Sequence, residues 1–343
     1  MDKCRLSDYE YYLPEELIAQ KPLETRDQSR MLVLNRAEES IEHNIFQRLP
    51  DYLAPGDLVV LNNTRVIPAR LLGRIAGKST QAELLLLHKQ EGEKWVAMVK
   101  PGKKLKPGAR VILDRDVEAL VENSTENELR VISFSAPCHI EELLPQLGKV
   151  PLPPYIKREV DHPGQYQTIY AEIEGSAAAP TAGFHFTDRV FQALAEKGVE
   201  TAFITLHIGP GTFQPVKTKD IRNHNMHSES YSISQDTAAT INRATAEGRR
   251  IVAVGTTVCR VLETVAGEDG RVKGNRGLTA LYIYPGFKFR LVGALLTNFH
   301  LPRSTLLMLV SAFGGYDLVM QAYHEAVENK YRFYSFGDCM LIL

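Results

Sequence analysis

Three histidines stand in loops whose neighbours suit chemistry. "LHIGPGTFQPV" runs from Leu206 to Val216, "HNMHSES" from His224 to Ser230, and "TNFHLPRST" from Thr297 to Thr305. Histidine titrates nearest neutral pH, so His207, His227 and His300 are candidate general bases, with Glu229 two residues beyond His227. Gly209 and Gly211 leave the first loop almost without side chains, and Thr212 adds a hydroxyl. Such a loop is either a tight turn or a surface kept bare for a ligand. In "VAVGTTVCRVLE", Gly255 permits a tight turn, Thr256 or Thr257 can cap the helix that follows, and Arg260 and Glu263 share a helix face. The plainer alternative is a capped helix with a surface ion pair. "GSAAAPTAGFHFT" (175–187) is a further small-residue loop, which reads as a connector or as a wall that a flat ligand can approach.

Other chemistries are disfavoured. His224, His227 and Glu229 offer metal-ligand atoms, but the H-E-x-x-H spacing and an obvious further ligand are missing. The cysteines Cys4, Cys138, Cys259 and Cys339 form no CxxC pair. No metal is therefore expected. The absence of G-x-G-x-x-G, of the P-loop and of the G-x-S-x-G elbow argues against nicotinamide cofactors, nucleotide hydrolysis and serine esterase chemistry.

The elements that position these loops alternate between strand and helix. "MLVL" (31–34), 58–63, 202–207, 251–255 and part of 291–300 read as strands, and 188–197, 235–248, 257–266, 304–313 and 320–330 as helices. Between Val66 and Lys149 the texture changes to short apolar runs separated by turn clusters, with one helix near 140–147. The expected fold is α/β: a main α/β domain, 1–65 and 150–343, interrupted by an inserted small β-barrel, 66–149. Three strands deliver polar loops at their carboxyl ends, where open α/β sheets bind ligands.

With 343 residues, a formal net charge of −1 and a pI near 6.8, the chain is no basic nucleic-acid coat. Basic residues nevertheless cluster: Arg70, Lys100, Lys103, Lys104 and Lys106 in the insertion, Arg65 just before it, and Lys157 and Arg158 after it. They read either as phosphate contacts or as a solvated turn. The N-terminal stretch is too polar for a signal peptide, and the apolar run 306–313 is too short to span a bilayer. A cytoplasmic protein is expected.

Taken in order, "SDYEYYLPEELIAQKPLETRDQSRMLVL", "PGDLVVLNNTRVIPARL", "GKVPLPPYIKR", "GSAAAPTAGFHFT", "TLHIGPGTFQPV", "MHSE", "VAVGTTVCRVLE", "TNFHLPRSTLLMLVSAF" and "YRFYSFGDCMLI" resemble the S-adenosylmethionine:tRNA ribosyltransferase-isomerases of bacterial queuosine biosynthesis. The resemblance implies a monomeric enzyme that uses S-adenosylmethionine as ribosyl donor. Its acceptor is 7-aminomethyl-7-deazaguanine at the tRNA wobble position, and the products are epoxyqueuosine-tRNA, adenine and methionine. One departure is Gly293, where the family usually carries aspartate. On this reading His300 or His207 removes the proton made acidic by the sulfonium. Glu229 and Glu263 face the sulfonium or the methionine ammonium, and Thr256, Thr257 and Arg260 hold the methionine carboxylate. Gly209, Gly211, Thr212, Gly255 and Asn298 complete the donor pocket. A non-catalytic tRNA-binding protein and a small-molecule transferase are the competing readings.

Overall fold

The computed structural model describes residues 3–90, 92–125, 129–158, 160–209 and 216–343. Gly211 and Thr212, two of the expected donor-pocket residues, lie outside the described residues. The chain forms two compact units, one of Met1–Asn63, Pro154–Ala171 and Pro180–Leu343, the other of Thr64–Pro153 and Glu172–Ala179. The second unit is larger than the 66–149 insertion expected from sequence, because the strand Ile173–Ser176 returns to pair in parallel with Thr64–Val66.

The first unit is built on a nine-stranded mixed sheet. Its spatial order is Asn275–Thr279, Glu229–Ile233, Glu200–Leu206, Leu58–Asn62, Ile251–Val254, Ala294–Asn298, Cys339–Ile342, Arg30–Asn35 and Ser40–Ile45. The four strands Glu200–Leu206, Leu58–Asn62, Ile251–Val254 and Ala294–Asn298 are parallel neighbours. Three of them, "LVVLN", "IVAV" and "ALLTN", are buried along their whole length, which is why they read as continuous apolar runs. From Leu58–Asn62 the chain goes to the neighbour on one side, then returns to Ile251–Val254 on the other. Strand order thus reverses around Asn62, the kind of place where ligands bind beyond strand carboxyl ends.

Helices Asp188–Glu196, Gln235–Ala246 and Thr305–Gly314 begin where Thr187, Ser234 and Ser304 accept a hydrogen bond from a first-turn N–H. The last of these is almost wholly buried and ends at Gly315, from which Tyr316–Glu328 departs at 117°. That final helix starts four residues before the expected 320. Among the described residues no single helix is long and apolar enough to cross a membrane.

In the second unit six antiparallel strands close a barrel: Arg70–Ile75, Gln81–Lys89, Lys94–Lys100, Arg130–Ser135, Glu118–Ser124 and Arg110–Ile112, the last pairing back onto the first. Alternate residues such as Leu71, Leu84, Leu86, Ala97, Val121 and Ile132 fill the interior. Helix Ile140–Leu147 adds Ile140 and Leu144 to that core.

Candidate active site at the strand carboxyl ends

The parallel strands end together at Leu206, Asn62, Val254 and Asn298, so the segments that follow share one edge of the sheet. Asn62 fixes the first segment. Its amide donates to the Leu206 carbonyl and accepts from the Leu206 N–H, both at 3.0 Å, which extends the strand ladder through a side chain. Asn63 accepts the Thr205 hydroxyl at 2.7 Å. These two asparagines, fully or nearly fully buried, hold the strand from which His207 departs.

Glu229 is buried and ion-paired with buried Arg260, and its other oxygen accepts the Gly209 N–H at 3.0 Å. Arg260 also donates to the carbonyls of Leu281 (2.9 Å) and Thr279 (3.4 Å). The pair therefore ties the loop after Leu206 to helix Thr256–Val265. In this arrangement the Glu229 carboxylate meets Arg260 and the Gly209 N–H, and the Arg260 guanidinium meets Glu229 and backbone carbonyls. The Glu263 carboxylate accepts the N–H groups of Arg290, Leu291 and Val292 at 2.8–3.1 Å. It sits two turns along the helix, about 10 Å from the first turn. Arg260 and Glu263 do not pair with each other.

The first turn of that helix is the most ligand-ready feature. Gly255 is its N-cap with φ +91°, and no side chain caps it. Glycine allows this backbone and brings the chain within reach of Ala182, 3.6 Å from where a Cβ would stand. Thr256 and Thr257 occupy the first helical positions and do not cap, contrary to expectation. The Thr257 side chain is over nine-tenths buried, and its hydroxyl finds no hydrogen-bond partner among the described residues. Uncapped N–H groups beside an unsatisfied hydroxyl form an anion-accepting corner.

The small-residue loop supplies the facing wall. Gly183 is packed so closely that a Cβ there would lie 1.9 Å from the Tyr170 hydroxyl and 2.8 Å from Thr168 Cγ2. Behind it, His185 is buried between Ser29 (Oγ to Nδ1, 2.7 Å) and Asn298 (Oδ1 to Nε2, 3.1 Å). Asn298 donates its amide to the Tyr334 carbonyl at 2.9 Å, so its oxygen accepts and His185 carries the proton on Nε2. Burial pulls the His185 pKa down to about 4. Asn298 is thereby a support for His185, not a free donor-pocket contact.

The histidines separate by environment. His207 is half-buried, its backbone N–H donates to the Ser230 carbonyl at 3.0 Å, and burial lowers its pKa. His300 has its Nε2 2.8 Å from the Thr297 hydroxyl, and burial pushes its pKa to about 3. Its backbone is clamped by Tyr11 and Tyr323. His227 is exposed. A base far below working pH stays neutral but takes a proton poorly. His207 is thus better matched to proton abstraction than His300. Among the described residues no atom lies within 4 Å of where a Gly209 Cβ would stand.

Among the described residues no group of three or more His, Cys, Asp or Glu side chains is gathered for a metal. Of the basic residues, Lys157 pairs with Glu15 and Arg70 with Glu83 (2.8 Å), and Lys104 reaches the Thr80 hydroxyl at 3.3 Å. Arg65, Lys100, Lys103, Lys106 and Arg158 are exposed. Gly293 lies at the amino end of strand Ala294–Asn298, at the opposite end from the site, and a Cβ there would stand 2.9 Å from Arg250 Cγ. A carboxylate at this position would belong to the sheet's far edge.

A mixed sheet with a parallel centre and polar, small-residue segments at its strand ends, in a chain that also carries a closed barrel, places the protein in the α/β class. Within it the chain belongs to the queuosine biosynthesis protein family, whose model matches residues 6–342. It is 54% identical over 340 residues to the S-adenosylmethionine:tRNA ribosyltransferase-isomerase of Symbiobacterium thermophilum, covering 99% of this chain and 100% of that one. It is 53% identical to the protein of the same name from Moorella thermoacetica, with 99% and 100% covered. The crystal structure of S-adenosylmethionine tRNA ribosyltransferase from Thermotoga maritima is similar with a TM-score of 0.57 and 41% identity, covering 98% of this chain and 100% of that one.

Proposed function

We propose that this chain transfers and isomerises the ribosyl unit of S-adenosylmethionine onto 7-aminomethyl-7-deazaguanine at the wobble position of tRNA. The products are epoxyqueuosine-tRNA, adenine and methionine. The observation that carries the reading is the unsatisfied, buried Thr257 hydroxyl at the uncapped first turn of helix Thr256–Val265, in a chain this similar to enzymes named for the reaction. That corner suits the methionine carboxylate of the donor: the hydroxyl and the free N–H groups each donate to it.

The remaining requirements fall to neighbouring residues. The sulfonium acidifies the 5′ carbon, and His207, kept neutral by burial, accepts that proton. The Glu229–Arg260 pair holds the loop on which His207 lies. Adenine departs as the acceptor amine attacks, and closure of the epoxide expels methionine. Exposed lysines of the barrel, Lys103 and Lys106 among them, give tRNA a counter-charge.

The test is to incubate the protein with S-adenosylmethionine and tRNA carrying the aminomethyl base, and to follow free adenine and methionine. Both should appear in equal amounts, and only with that tRNA. Folded protein that binds the tRNA but releases no adenine would leave the binding-protein reading standing instead. Adenine release with no dependence on tRNA would favour a small-molecule transferase.

A further inference from the structure

A cavity of about 740 Å³ lies in the first unit outside the site just described. It is lined by Cys4–Ser7, by Lys217, Lys219, Asp220 and Arg222, and by Arg303. Five basic side chains face one acid there. With Glu10, which pairs with Arg303, and Asp8, which accepts the Arg5 N–H, counted in, basic groups still exceed acids by two.

The walls are fixed by backbone. Arg5 and Asp220 form an antiparallel bridge, Leu6 N–H donates to the Lys219 carbonyl, and Ile221 N–H to the Cys4 carbonyl, both at 2.9 Å. Lys217 and Lys219 are both exposed on this segment. Arg303 is held at φ +57° with its N–H on the Tyr9 carbonyl. Lys217–Arg222 continue the segment that begins with His207, and Arg303 follows the strand that leads to His300. Beside the cavity, Tyr282 packs against His224 (5.3 Å) and Tyr284 (5.1 Å).

From this arrangement we propose that the cavity is a phosphodiester-binding subsite for an RNA strand, an inference that rests on the tRNA reading above. A wobble base undergoing chemistry must leave its stack, which brings its flanking phosphates to the enzyme surface and calls for counter-charge there. Cations spread over three segments with aromatic rings alongside match single-stranded nucleic acid. A lone carboxylate or phosphate needs neither that spread nor that volume.

The experiment measures binding of a synthetic anticodon stem-loop RNA against salt concentration for the parent and for K217Q/K219Q. S-adenosylmethionine affinity and melting temperature are measured on the same samples. The backbone bonds of the wall do not involve these side chains, so the fold should hold; K217R/K219R serves as the charge-conserving control. The log–log salt slope should fall by about 1.4–1.8 for two lost phosphate contacts, with donor affinity unchanged and the arginine variant like the parent. An unchanged slope in a folded variant, with the parent active in adenine release, overturns the subsite alone. Weakened donor binding with an unchanged slope assigns the cavity to a small anion and overturns it equally. A parent that binds no RNA in a salt-dependent way overturns the tRNA reading and the subsite together.

Discussion

Replacing Glu229 by glutamine tests whether the buried ion pair positions the His207 loop or takes part in the reaction. Both side chains of the pair are only 4% exposed. The substituted amide would keep an oxygen for the Gly209 N–H but leave the Arg260 charge buried without its counter-charge. Breaking a buried pair from one side costs about 3–5 kcal/mol. For a unit of this size, each kcal/mol lowers the melting temperature by roughly 2–4 °C, so a loss of about 6–20 °C is expected. The double variant E229Q/R260M removes the stranded charge and should recover a substantial part of the loss, a coupling that a double-mutant cycle reads directly. Turnover of the folded fraction should fall modestly, with the pH profile in place, because the catalytic base is elsewhere. E229Q protein within about 0.5 kcal/mol of the parent in stability, yet inactive, would refute this reasoning and place Glu229 against the substrate.

Alanine at position 183 would drive a methyl group into the Tyr170 hydroxyl and should cost about 1–3 kcal/mol in urea unfolding. Y170F should restore only part of that loss, since it removes the nearest colliding atom but leaves Thr168 Cγ2 and the Tyr170 ring carbon within 3.0 Å. His185 has a folded pKa near 4 against 6.5 when unfolded, so the unfolded chain takes up the proton first. Stability should therefore fall as pH drops from about 6.5 towards 4, by roughly 1.4 kcal/mol per pH unit from this group, and stay level above that window. H185Q should flatten the slope of stability against pH by one proton, and an unaltered slope would show His185 to be solvated. Aspartate at position 293 would sit beside Arg250 and should shift stability by no more than about 1 kcal/mol, with turnover unchanged. A tenfold change in kcat would bring the far edge of the sheet into the mechanism.

The strands read at 58–63, 251–255 and within 291–300 were legible as continuous apolar runs because burial on both faces removes the alternation of polar residues. Gly255 likewise announced a turn, since few residues other than glycine adopt φ near +91°. What stayed hidden depends on distance along the chain. Nothing local in Glu229 or Arg260 shows that they meet, and their own neighbours suggested other roles. Asn62 and Asn63 look like a polar strand end, and only the adjacent strand at Thr205 and Leu206 shows what they hold. His185 resembled a loop histidine until Ser29 and Asn298 closed on it. Likewise no composition change marks Glu172–Ala179, which joins the barrel unit through pairing with Thr64–Val66.

The assignment of the donor site to the first turn of helix Thr256–Val265 is tested most directly by T257V. Valine keeps the shape of threonine and removes a hydroxyl that has no partner among the described residues. Calorimetric titration with S-adenosylmethionine and urea unfolding on one preparation give the two numbers needed. Loss of a hydrogen bond to a charged group, about 1.5–3 kcal/mol, should weaken donor affinity roughly 10- to 150-fold. Stability should be unchanged or slightly raised, because an unsatisfied buried hydroxyl is gone. Donor affinity equal to the parent in a folded T257V protein would contradict the assignment and move the methionine carboxylate away from this helix.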